Sequence, residues 1–179
     1  RVLFRSLGYF CALRLDACPK RAVNDFLCGL FHDLPEVLTR DIISPIKRSV
    51  AGLDELIKDI EKRQIAEKIL PLLPGEWHKE ILYFAENEFA DRAIVDGKIK
   101  LLSHPEEISE KYNEDQYSAV DGSILKGCDH LAAFVEAWLS IRHGITSQHL
   151  REGEEKIGEM YKSKSIAGIS FAEIFGKFN

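Results

Sequence analysis

The chain has six histidines, His32, His78, His104, His130, His143 and His149, and most read as surface residues. His32 is the exception, because it adjoins Asp33 at the end of an apolar helical pattern and Glu36 follows within the next turn. An imidazole beside a carboxylate is the donor mixture that suits borderline divalent ions such as Mn, Co, Fe, Ni or Zn. Glu36, four positions after His32, faces the same side if helical geometry resumes after Pro35. It is then suited to orient or deprotonate an attacking water; as a plain first-turn glutamate it would be stabilised by the helix dipole instead. Thr39 and Lys47 are candidates for contact with a phosphate, Lys47 as a point charge, with a solvated surface lysine as the alternative. Asp41 is too polar for its Val37–Ile43 setting unless it caps a turn or faces a ligand.

The elements that must hold these residues are helical. Val2, Leu3, Leu7, Phe10, Cys11 and Leu13 recur at helical spacing between Arg1, Arg5 and Arg14, which reads as an amphipathic helix entered part-way. An arginine-rich targeting peptide is the competing reading, disfavoured by the many large apolar residues. A second helix starts near Pro19 and runs to Phe31, with Val23, Phe26, Leu27, Leu30 and Phe31 as its apolar face. Pro35 biases Leu34 away from helical dihedrals, so this helix is expected to end at His32–Asp33 and a short turn to begin at Pro35. Leu53–Leu70 reads as a helix closed by Pro71 and Pro74, and Trp77–Ala90 as another. The segment Asp91–Asp115 is the least regular and is expected to carry a short ordered loop. From Gln116 to His143 the apolar positions Val120, Ile124, Cys128, Leu131, Val135 and Trp138 step by three and four, which predicts a long central helix. A polar helix from Thr146 to Tyr161 and a last set, Phe171, Ile174, Phe175 and Phe178, complete the chain. No repeat, linker or period-two strand of useful length is visible. The expectation is one all-α domain, a helical bundle over residues 1–179.

Composition narrows the function. With 24 Lys+Arg against 29 Asp+Glu the net charge is −5, and no basic block is present to attract a phosphate backbone or an anionic membrane, so neither nucleic acid nor membrane is an expected partner. Cys11, Cys18, Cys28 and Cys128 contain no C-x-x-C pair and are far too sparse for a disulfide scaffold, which points to a reducing cytoplasm. No apolar run approaches the ~20 residues that cross a bilayer. The chain opens on Arg1 inside an apolar-periodic segment, so its natural N-terminus is expected further upstream.

The stretch FLCGLFHDLPEVLTRDIISPIK over 26–47 resembles the HD-domain metal-dependent phosphohydrolases, and within them the 5'-deoxynucleotidase-like branch. There an apolar helix delivers His-Asp, followed by a Glu-Val, a Thr, an Asp, a Pro and a Lys at similar intervals. A second block, KGCDHLAAFVE over 126–136, is similar to the later helix that supplies the last metal carboxylate, here Asp129; the terminal Phe171–Phe178 set also resembles that branch. The resemblance implies a helical bundle of the HD-domain type. It also implies a single divalent transition metal ion held by His32, Asp33 and Asp129, with Glu36 acting on water and Asp41 on the substrate side. The implied substrate is a small nucleoside 5'-monophosphate, and pairing of two copies is implied too, with the C-terminal phenylalanines as one available surface. The family's opening metal ligand is a histidine one helix upstream of His-Asp; residues 1–31 contain none, so it is expected before Arg1. His130, about 100° round the helix from Asp129, is expected to leave the pocket. The reading from another class is a catalytically silent helical module that binds a nucleotide or a metal.

Overall fold

In chain order the elements are α1 (Val2–Arg14), α2 (Pro19–Phe31), a 3₁₀ turn at Leu34–Val37, and α3 (Leu53–Gln64), which passes into a π-helical turn at Ile65–Ile69 and short 3₁₀ turns at Leu70–Leu72 and Gly75–Trp77. There follow α4 (His78–Ala85), β1 (Arg92–Val95), β2 (Lys98–Leu101), α5 (Glu106–Lys111), a 3₁₀ turn at Asp115–Tyr117, α6 (Gly122–Arg142), α7 (Gln148–Tyr161), β3 (Ser165–Ile166), β4 (Ile169–Ser170) and α8 (Phe171–Gly176). This computed structural model describes residues 2–39, 52–145 and 147–178. It is mainly helical, as an all-α fold requires. No helix among the described residues is long and apolar enough to cross a membrane.

The chain divides into two compact units, Arg1–Gly29 with Phe89–Asn179, and Leu30–Glu88. In the first, α6 is the centre, with Ile124, Leu125, Cys128, Leu131, Ala132 and Phe134 all buried. Helix α1 packs on it with Phe4, Gly8 and Ala12 as its buried residues, Gly8 lying against Leu125. Helix α1 ends with Asp16 in the left-handed region (φ 49°). There the Ala17 and Asp16 amides donate back to the Ala12 and Leu13 carbonyls, closing the last turn. In α8, Phe175 stacks on Tyr161 with ring centroids 4.7 Å apart, and Phe171 lies over Gly127, where a Cβ would come within 2.4 Å of its ring. The terminal phenylalanines Phe171 and Phe175 are therefore core residues, and they do not offer the pairing surface expected of them. In the second unit Ile65, Leu70 and Ile81 form the core, joined by Leu34, Ile69 and Leu73.

Several expectations change. The apolar face read for α2 is not its buried face: Val23 is 46% and Leu30 40% exposed, whereas Arg21, Asn24 and Asp25 are fully buried. In α1 likewise, Phe10 is 63% exposed and Leu3 and Leu13 are exposed. The expected loop at Asp91–Asp115 holds an antiparallel hairpin that pairs Arg92 with Leu101 and Val95 with Lys98. Its two-residue turn, Asp96-Gly97, has positive φ at both positions, the geometry that matches strand twist. A second hairpin turns at Ala167-Gly168 in the same way. Helix α4 stops at Ala85 because Glu86 is extended and Asn87 left-handed, and α6 starts only at Gly122.

The start of α6 is fastened by buried charge. Arg21 Nε and Nη2 donate to Asp121 Oδ2 and Oδ1 at 2.6 and 2.7 Å. The Asp121 amide in turn donates to Asp25 Oδ1 at 2.9 Å. Asp91 accepts from the amide and hydroxyl of Ser123 at 2.9 and 2.5 Å, satisfying donors in the first turn that the helix itself leaves open. Burial, and then the neighbouring charge of Asp121, pushes the Asp25 carboxyl well above the usual range. A carboxyl raised in the folded state stabilises fully below its unfolded value, and the contribution is lost as pH rises through its folded value. Urea midpoints measured from about pH 4 to about pH 8 are expected to fall with rising pH, and Asp25→Asn to flatten that fall. Asp91, which burial also raises, keeps the remaining slope. Gly127→Ala is expected to lower stability by about 1–3 kcal/mol through displacement of Phe171, read from the same unfolding curves.

Candidate functional site

Helix α2 closes at Phe31, and the chain turns through His32 and Asp33 into the 3₁₀ turn that Pro35 opens. The Glu36 amide donates to the Asp33 carbonyl at 3.0 Å, so the helical geometry lost before Pro35 is regained for one tight turn. His32 Nε2 stands 3.0 Å from Asp33 Oδ1, with the imidazole 9% and the carboxylate 34% exposed. The pair lies just past the end of α2, where the helix was expected to break. Glu36 is half-buried in the same turn.

The remaining residues are placed as follows. The Thr39 hydroxyl donates to Glu61 Oε1 at 3.0 Å, and Glu61 is a buried carboxylate on α3 that the sequence reading did not single out. Asp41 and Lys47 lie outside the described residues. Asp129, on α6 in the first unit, has its carboxylate 3.9 Å from Lys126 Nζ and 35% exposed. His130 turns to Tyr161, its Nδ1 2.9 Å from the phenol oxygen. Burial first, then Lys126, holds the His130 imidazole below its ordinary pKa; burial pushes the Tyr161 phenol up to about 12. Both are neutral at physiological pH, and this contact engages one of the ring nitrogens through which His130 could bind a metal.

Bonds of about 2.1 Å to imidazole nitrogen and carboxylate oxygen place two neighbouring ligands of an octahedral ion about 3.0 Å apart, which is the His32–Asp33 separation. That separation suits two adjacent coordination positions and is equally that of a direct imidazole–carboxylate contact. Among the described residues no group of three or more His, Cys, Asp or Glu side chains is gathered as a metal site.

The chain matches the HD domain family over residues 4–158, a span that takes in most of its length and runs through both units. It belongs to the HD-domain family. Proteins of this kind are in general metal-dependent phosphohydrolases, and they typically bind divalent ions. No match was found among curated proteins or among solved structures.

The residues that sequence reasoning missed are the buried ones, Arg21, Asp25, Asp91, Asp121 and Glu61. Asp25 carried a readable signal, since it follows Arg21 by one helical turn inside an otherwise apolar segment. Thr39→Val removes the hydroxyl that meets Glu61 and leaves a buried carboxylate oxygen without this donor. It is expected to cost about 1–3 kcal/mol in a urea unfolding curve.

Proposed function

We propose that this HD-domain protein is a phosphomonoesterase that releases phosphate from (deoxy)nucleoside 5'-monophosphates in the cytoplasm. The observation that carries the reading is the half-buried His32–Asp33 pair, 3.0 Å apart, followed in the next turn by Glu36, in a chain of this family. His32, as neutral imidazole, and Asp33 hold a divalent transition metal ion (Mn, Co, Fe, Ni or Zn), and Asp129 is the third donor, assigned from the block over 126–136. The ion, when bound, lowers the pKa of water and offsets phosphate charge.

The chain's own groups do the rest. Glu36 orients the attacking water and takes its proton. Asp41 and Lys47 stand on the substrate side, Lys47 as a point charge toward phosphate. Thr39, the third residue assigned to the substrate side, has its proton committed to Glu61 and leaves its oxygen lone pairs as acceptors. The second reading is a catalytically silent nucleotide- or metal-binding module built on the same pair.

Metal content after dialysis, measured with phosphate release from thymidine and deoxyadenosine monophosphates, separates the two. The enzyme retains ion and turns over; the silent module binds without release. Glu36→Ala is expected to lower turnover about 10²- to 10⁴-fold with metal content nearly unchanged, whereas His32→Ala is expected to lose both. Parallel loss of metal and activity in Glu36→Ala would reassign Glu36 as a ligand.

A further inference from the structure

The first unit contains an open cavity of about 330 Å³ whose wall includes Phe89, Pro105, Lys126, Tyr161, Lys164 and Ile166. Its two cations rest on aromatic faces. Lys126 Nζ lies 4.1 Å from the Phe89 ring centroid and Lys164 Nζ 5.1 Å from that of Tyr161. A ring face holds an ammonium in place without neutralising it. The ion pair that Lys126 makes, with Asp129, is long at 3.9 Å, and Lys164 makes none among the described residues. The two serines of the wall have their protons engaged, Ser123 with Asp91 and Ser165 with the Ile169 carbonyl, so the ammoniums are the donors left to meet a ligand. Glu106 is the acidic residue of the lining, and it is exposed.

We propose that this cavity binds the phosphate group of a small phosphomonoester between Lys126 and Lys164, with Phe89 and Pro105 against its organic part. Two compact ammoniums suit a dianion, and the volume is at the small end of the range for small-molecule sites, about 300–1,000 Å³. Lys126 and Asp129 are one turn apart on α6 and face one another, so the bound phosphate lies beside the carboxylate assigned above to the metal. The inference rests on the proposed function for the choice of a phosphomonoester over other dianions, and the cationic cavity stands without it.

The test is calorimetric titration of the full chain with inorganic phosphate and with thymidine monophosphate, in the presence of a chelator and at constant ionic strength, using chloride as the control anion. Wild type is expected to bind both. Lys126→Gln and Lys164→Gln are each expected to weaken binding about 10-fold or more, since one charged hydrogen bond is lost, while Lys126→Arg retains it. Both positions are partly or fully exposed, and helical circular dichroism checks that the variants fold. Phosphate binding that is absent in wild type, or equal in wild type and the double variant, would overturn the proposal. Lysine-dependent phosphate binding by a protein that hydrolyses no nucleotide with any metal supports the cavity and removes the phosphomonoesterase reading. Turnover with lysine-independent phosphate binding does the reverse.

Discussion

A guanidinium cut off from water must find its counter-charge within the fold, and Arg21 finds Asp121 through two parallel bonds. Ser109 and Asn113 take further donors of the same group. Such a pair repays its desolvation only when geometry is good and the remaining donors and acceptors are met; removing one partner from a pair of this kind typically costs about 3–5 kcal/mol. The pair therefore constrains whatever is attached to either end.

What is attached is the framework of the first unit. Arg21 sets the rotation of α2, because its side chain, with Asn24 and Asp25, must point inward. Asp121 sets the start of α6, where its amide meets Asp25 and Asp91 meets Ser123. The hairpin joins at the same place, with Arg92 and Val120 exchanging backbone hydrogen bonds. Gly122 belongs here too: a Cβ would fall within 2.4 Å of the Ala90 backbone, so the approach of that segment to the first turn of α6 requires glycine. The chemistry-bearing residues follow along these elements in the chain, His32 and Asp33 just after α2, Lys126 and Asp129 along α6.

Legibility tracked the range of the physics. Pro35 acts on its immediate neighbours, so the break at His32–Asp33 and the turn holding Glu36 could be read from residue types. The depth of α6 could be read because a helix apolar at Ile124, Cys128 and Leu131 has to be covered. The Asp96-Gly97 hairpin is legible as well, because that dipeptide between Ile94 and Ile99 is a strong two-residue turn signal. The buried face of α2 was not legible. Hydrophobic periodicity ranks Val23 and Leu30 above Arg21 and Asp25, and only the arrival of Asp121, 100 positions away, reverses the order.

The sequence by itself determined the helical class, the family and the break after α2 that carries His32 and Asp33, because each depends on residue types and spacing along the chain. The tertiary structure decided which side of each helix is inside. It also decided that Phe171 and Phe175 are core residues, that the Thr39 hydroxyl meets Glu61, and that Lys126 and Lys164 share one cavity. These outcomes depend on partners distant in sequence, where the free energy of burying a charge or a ring depends on what lies opposite it, and no local pattern records that.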